Sequence, residues 1–186
     1  MKKITFLMHT SLDGFVARPG GELDWVKLDN EMFDFVHELT NDADTALYGR
    51  VTWQMMDEYW PDAGTKANAT KHDKEHSAWY NQVDKYVLSR TLKDKSSGKT
   101  HFVDIGEIKD LKNGKGSNIL MLGSPSAFQA MLVENLIDEF WFFMNPIILG
   151  KGIPLYKELK SPIKLVRGKL KTFGGGATAM NFSLKK

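Results

Sequence analysis

Three glycine-bearing turns hold the residues best suited to ligand chemistry: Ser11-Leu12-Asp13-Gly14, Tyr48-Gly49-Arg50-Val51-Thr52-Trp53 and Leu122-Gly123-Ser124-Pro125-Ser126. Each follows a short apolar run that reads as a strand, and strand ends are where α/β proteins bind ligands. The second and third turns also open a predicted helix. The first amides of a helix are unpaired and carry partial positive charge, so an anion such as a phosphate can be held there without a dedicated cation. Two such turns point to a cofactor bearing a diphosphate. Gly49 lets the backbone approach a ligand, Arg50 offers a planar cation, and Thr52 adds a hydroxyl near the helix start.

Other side chains have two readings. Trp25 is followed by the acids Asp29, Glu31 and Asp34. Asp29 suits a helix N-cap, and a solvated helix face accounts for the others. Asp13 can bond its own turn backbone. Tyr59 and Trp60, just before Pro61, could stack on a flat substrate ring or close the core beneath a loop, the packing role being slightly favoured. His72 and His76 are four apart and could share a helix face; with no third ligand suggested they read as solvent-exposed residues, not a metal site.

The elements that must position these residues alternate. Ile4 to Met8 reads as a buried strand. A helix begins at Asp29-Asn30-Glu31, with Met32, Phe33, Phe35, Val36 and Leu39 at helical spacing. Thr45 to Tyr48 is a strand, Thr52 to Met56 turns helical, and a polar segment leads to strands at Lys85 to Ser89, His101 to Val103 and Ile119 to Leu122. Pro125 suits a first helical position, with Ser124 as N-cap and Phe128, Met131 and Leu132 on the buried side. Asp138 to Met144 is an aromatic strand, and Leu165 to Phe173 and Ala177 to Leu184 flank Gly174-Gly175-Gly176 as a hairpin. This order predicts an α/β fold: a mostly parallel central sheet, helices on both faces, and an antiparallel C-terminal edge.

The chain has 186 residues and 42% hydrophobic content, which suits one domain over 1–186. The loop-like stretches Asp62 to Thr70, Lys93 to Thr100 and Lys112 to Ser117 are too short to separate two units. A net charge of +2, with lysines scattered among acids, argues against a nucleic-acid partner. No cysteine is present, so disulfides, thiolate nucleophiles and thiolate metal sites are excluded, which fits the cytoplasm. No apolar run approaches the roughly 20 residues of a membrane span. The run after Met1-Lys2-Lys3 is too short for a signal-peptide core. Phe140-Trp141-Phe142-Phe143 carries more apolar surface than one sheet face normally buries, which hints at a homodimer contact.

Five motifs in this order resemble the dihydrofolate reductase-like superfamily, and more closely the group sharing the C-terminal reductase domain of the bifunctional riboflavin-biosynthesis enzyme. They are Ser11-Leu12-Asp13-Gly14-Phe15-Val16-Ala17, Gly49-Arg50-Val51-Thr52-Trp53, Val87-Leu88-Ser89-Arg90, Leu122-Gly123-Ser124, and Asn145-Pro146-Ile147-Ile148-Leu149-Gly150-Lys151-Gly152. The resemblance implies the three-layer fold of that superfamily, NADPH as cofactor, and hydride transfer to a small heterocycle, carbonyl or imine. It places Ala17, Gly49, Arg50, Thr52, Ser89, Arg90, Gly123 and Ser124 at the cofactor, with Ser89-Arg90 as the clamp on the adenosine 2′-phosphate.

On the substrate side the resemblance implies Trp25, Tyr59 and Trp60 as lining residues. Glu31 is by position the counterpart of the acid that assists proton delivery in dihydrofolate reductases, and Asp13 would line the nicotinamide end. A carboxyl acting as general acid needs burial, which Trp25 and Phe33 could provide. Implied substrates are pterins and pyrimidines, including the riboflavin precursor 5-amino-6-(5-phosphoribosylamino)uracil. Two departures stand against ribose-phosphate recognition. Leu7 occupies the place of a first-strand lysine, and Asp57-Glu58-Tyr59-Trp60-Pro61-Asp62 replaces an Asp-Pro-x-Leu-Thr-x-Arg segment. The competing expectation is a nucleotide-binding domain that keeps the fold without turnover.

Overall fold

The computed structural model describes residues 1–92, 96–157, 159 and 161–185. Its centre is an eight-stranded sheet. In chain order the elements are β1 (Ile4–Thr10), β2 (Phe15–Ala17), α1 (Asn30–Asn41), β3 (Ala43–Gly49), α2 (Arg50–Ala63), α3 (Lys71–Gln82), β4 (Asp84–Leu88), β5 (Thr100–Val103), α4 (Ile105–Asn113), β6 (Asn118–Leu122), α5 (Pro125–Val133), β7 (Glu139–Met144), β8 (Ile153–Pro154), β9 (Leu165–Thr172) and β10 (Thr178–Leu184). The sheet order is β5-β4-β3-β6-β1-β7-β10-β9, and β2 pairs with β8 in a separate ribbon. The run from β5 to β7 is parallel; β10 is antiparallel to both β7 and β9.

A central parallel strand is covered on both faces, which is why β1 reads as a continuous apolar run. Ile4 and Phe6 point into a core built with α4 and α5, through Ile108, Phe128 and Met131. Leu7 points the other way, toward Met32 and Phe35 of α1 and Trp79 and Tyr80 of α3, with Trp53 and Met56 of α2 at the margin. The expected arrangement of helices on both faces, with an antiparallel C-terminal edge, is what the structure shows.

The aromatic strand is used inside the chain, contrary to the expectation of a surplus for a dimer. Alternation sends Phe140 and Phe142 under Phe128, at ring distances of 5.8 and 6.1 Å. Trp141 and Phe143 lie under Phe35 at 4.9 and 5.9 Å. A strand of this composition therefore needs no second copy to bury it.

Several elements exceed the sequence expectation. α2 runs on to Ala63 with Pro61 in its last turns, where a missing N–H interrupts little of the helix beyond it. α3 and α4 were not expected. Each starts on a capping box, Thr70 with Asp73 and Asp104 with Glu107, in which the cap side chain and the third helical residue satisfy each other's backbone amides. Of the expected loop Lys93 to Thr100, residues 93–95 lie outside the described residues and Thr100 already begins β5.

Candidate functional site

The C-terminal ends of β3, β4, β5 and β6 open into a cleft of about 870 Å³. Gly49, Arg50, Ser89, Arg90 and Ser124 all line it, with α5 and Lys157 forming the far wall. The strand-end turns at Gly49-Arg50, Ser89-Arg90 and Ser124, far apart in sequence, thus meet at one place, because β4, β3 and β6 are neighbours in the sheet. The Gly49 N–H donates to the Gly123 carbonyl at 3.3 Å, joining two of the turns directly.

Helix capping separates this cleft from the rest of the molecule. α1 and α3 have side-chain caps from Asp29 and Thr70, and Asp104 caps α4 at the cleft margin. α2 and α5 begin at Gly49 and Ser124, and neither cap residue bonds its helix through a side chain. The Ser124 hydroxyl is instead 3.2 Å from that of Ser126. The first turns of these two helices thus carry no side-chain cap, and amides at such a helix start, with the helix dipole, attract anions.

Gly49 lines the cleft, and both glycines also make room for neighbouring side chains. A Cβ on Gly49 would lie 2.1 Å from Ser124 Oγ, so Gly49 makes room for Ser124. Gly123 adopts φ +59°, a region that favours glycine, and a Cβ there would lie 2.8 Å from Thr52 Oγ1. The peptide bond between Gly123 and Ser124 is cis. Thr52 packs against this turn and does not line the cleft.

Arg50 is exposed, with Nη1 donating to Gln54 Oε1 at 3.1 Å. Ser89 is buried, and its hydroxyl accepts from the Thr91 N–H at 3.3 Å, which shapes the turn that carries the exposed Arg90. Ala17 lies outside the cleft lining, in the β2–β8 ribbon opposite Ile153.

The carboxyl groups proposed for proton transfer are both engaged as acceptors. Asp13 is exposed and takes bonds from Ser11 Oγ at 2.7 Å, Leu149 N at 3.1 Å and Gly150 N at 2.8 Å. The Ser11 hydroxyl, helped by those amides, holds its carboxyl below the ordinary aspartate range. Its turn role is thus the one the geometry displays. Glu31 is exposed, and Oε2 accepts from the Gly174 N–H at 3.2 Å; the aromatic enclosure expected of a neutral acid does not surround it. Asp29 caps α1 through the Met32 N–H and accepts from Gly175 N–H at 2.7 Å. Together the two acids tie the β9–β10 turn to the start of α1.

Trp25 is buried, with an indole N–H that has no partner among the described residues. Tyr59 and Trp60 lie on the α2–α3 contact, away from the cleft lining: Tyr59 donates to Asp73 Oδ1 at 3.0 Å, and Trp60 packs on His76 with rings 4.1 Å apart. Packing, the favoured reading, is what their geometry supports. His72 stacks on Phe33 and His76 is enclosed by Trp60 and Trp79, correcting the expectation of solvent exposure. His9 and Asn145, close to each other at the ends of β1 and β7, were not singled out as site residues. The signal was available: in β1, position 9 shares a face with position 7, which places a polar ring beyond an apolar run.

Known proteins share this architecture. The chain is 30% identical over 179 residues to the uncharacterized protein YyaP of Bacillus subtilis, covering 94% of this chain and 91% of that one. A putative riboflavin biosynthesis protein from Shewanella sp. PV-4 superposes with a TM-score of 0.77 at 28% identity, over 100% of both chains. The diaminohydroxyphosphoribosylaminopyrimidine deaminase/5-amino-6-(5-phosphoribosylamino)uracil reductase of Thermotoga maritima gives 0.70 at 14% identity, over 99% of this chain and 57% of that one. The fold is therefore the dihydrofolate reductase-like fold of RibD-type structures. The RibD C-terminal domain family matches residues 2–179, spanning every motif discussed above, and the chain belongs to that family.

Proposed function

We propose that this chain is a reductase that holds NADPH in the cleft between α2 and α5 and reduces a small planar heterocycle of pterin or pyrimidine type. The observation that carries this reading is the pair of helix N-termini at Gly49 and Ser124, both without side-chain caps and both on one cleft with Arg50 and Arg90. These residues fit a dinucleotide phosphate: oriented amides suit the diphosphate, and a guanidinium suits a terminal phosphomonoester. When bound, NADPH supplies the hydride. The protein's part is to fix the phosphates so that the ring end is directed along the sheet edge.

Because Asp13 and Glu31 are both engaged by backbone amides, we assign proton delivery to water and not to either carboxyl. The same observation favours a second reading, a nucleotide-binding domain without turnover. Fluorescence titration with NADPH and NADH, followed by NADPH absorbance against a panel of pterins, dihydropterins and pyrimidines, distinguishes them. Tighter NADPH binding with turnover of a panel member is expected. Failure to bind NADPH removes the reductase reading; binding with no turnover on any ring leaves the second.

A further inference from the structure

We propose, resting on the reductase reading above, that Lys157 binds the diphosphate of the cofactor from the α5 side of the cleft. Among the described residues the cleft lining carries three basic side chains, Arg50, Arg90 and Lys157. NADPH carries a phosphate at the 2′ position and two more in its diphosphate, so each anionic group can meet one cation. Arg50 stands at the start of α2 and Arg90 on the turn after β4, which leaves Lys157 as the cation on the α5 wall. The acids of the same lining are already engaged: Asp104 caps α4 through the Gly106 and Glu107 amides, and Glu134 pairs with Lys109 at 2.7 Å. Lys157 is exposed, and no carboxylate among the described residues pairs with it.

The backbone that carries Lys157 is fastened on both sides of the chain's path. Leu155 is buried, and its N–H donates to the Gly14 carbonyl at 2.9 Å. The Tyr156 ring packs on Phe128 of α5 at 5.8 Å, and the Lys157 N–H donates to Gln129 Oε1 at 3.2 Å. Gln129 lies three residues beyond Ser126 on α5 and both line the cleft, so they share a helix face about 4.5 Å apart along the axis. Lys157 is thereby anchored one turn from the uncapped start of α5, a separation its four-carbon stem can span. An ammonium placed there meets the same anion as the first-turn amides, as a point charge beside oriented dipoles. Arg90 serves a phosphate that only NADPH has, whereas Lys157 serves a group that NADPH and NADH share.

The test is calorimetric titration of the full chain with NADPH, NADH, ADP and adenosine 2′-monophosphate, in the parent, Lys157→Met and Lys157→Arg. Lys157→Met keeps an unbranched stem without the charge; Lys157→Arg restores a cation. NADPH, NADH and ADP, which all contain a diphosphate, should each bind about tenfold more weakly to Lys157→Met and within about threefold of the parent to Lys157→Arg. Adenosine 2′-monophosphate has no diphosphate and should bind all three proteins alike. Urea midpoints without ligand should agree between the parent and Lys157→Met, separating a lost contact from a weakened fold.

Unchanged ADP affinity in Lys157→Met overturns the proposal, and so does an equal loss for adenosine 2′-monophosphate, which would move Lys157 to the 2′-phosphate. If Lys157→Met does not fold, Lys157→Gln carries the same comparison. A parent that binds ADP and not NADPH overturns the reductase reading and leaves Lys157 to be decided by ADP alone. A parent that binds none of the diphosphate-bearing probes overturns both.

Discussion

Ser124 occupies the space a side chain at Gly49 would need: a Cβ there would lie 2.1 Å from Ser124 Oγ, 3.0 Å from its Cβ and 3.1 Å from Ala127 Cβ. The starts of α2 and α5 are thereby held together, and with them the two sets of helix amides assigned to phosphate. Gly49→Ala should part the helices and weaken NADPH binding at least about tenfold, since a shift of roughly 1 Å in a preorganised site has effects of that order or more. Ser124→Gly removes the two closest contacts, so the double variant should recover part of the loss; Ala127 remains in the way of a full recovery. Titration of the two single variants and the double checks this, and additive losses would show that the contact does not couple the turns.

Asp13 acts at a distance from the cleft through the turn it fastens. Its two oxygens divide the work: Oδ1 accepts from Ser11 Oγ and Leu149 N, and Oδ2 from Gly150 N. Asn at this position offers one acceptor where the carboxylate offers two. In Asp13→Asn, hydrogen exchange at the Gly150 or Leu149 amide should therefore rise while exchange in β3 and β6 is unchanged. Turnover, if the carboxyl does not deliver the proton, should survive in the fraction of protein that stays folded. A loss of turnover with both amides still protected would return Asp13 to a catalytic role.

Much of this arrangement was legible in the sequence, and the part that was not has a physical cause. The strands of the parallel core were readable because burial on both faces writes continuous apolar runs such as Ile4 to Met8, and the glycine turns marked their ends. Their convergence in one cleft was not readable from spacing, because it depends on β3, β4 and β6 being neighbours in the sheet. Family resemblance supplied that step. α3 was missed because Lys71 to Gln82 is polar on most of its surface, leaving only Ser77, Trp79 and Tyr80 buried, and its start is marked by a capping box and not by an apolar period. The engagement of Glu31 by Gly174 lies 143 positions away in sequence, beyond any local pattern.

His76 gives the fold an acid-sensitive point. Its ring is packed between Trp60 and Trp79, and burial, with a smaller contribution from the nearby charge of His37, pushes its pKa down to about 4. A base whose folded pKa lies below its unfolded value near 6.5 stabilises the protein in full above that value. The contribution is lost as pH falls from there toward 4, where the unfolded chain binds the proton more readily. The loss is about 1–3 kcal/mol. Urea midpoints at neutral pH and near pH 4.5 should show it, and His76→Phe, which keeps a flat ring between the tryptophans, should flatten the decline. An identical acid limb in the variant would mean that other groups govern it.

Arg90 tests the cofactor assignment most directly. It is exposed at the cleft margin on a turn shaped by the Ser89 hydroxyl, and it belongs to neither wall of helix amides that would hold the diphosphate. A guanidinium there has one use that separates the two nicotinamide cofactors, pairing with the 2′-phosphate that only NADPH carries. A charged hydrogen bond is worth about 1.5–3 kcal/mol, so Arg90→Ala should lose roughly ten- to a hundredfold in NADPH affinity while NADH changes little. Arg90→Lys should fall between the two, since a single ammonium replaces a planar fork. Fluorescence titration of both cofactors against all three proteins reads the result without requiring a substrate. Equal losses for NADPH and NADH would place Arg90 at the diphosphate, or make it a support for the turn, and would leave the preference for NADPH without a residue to explain it.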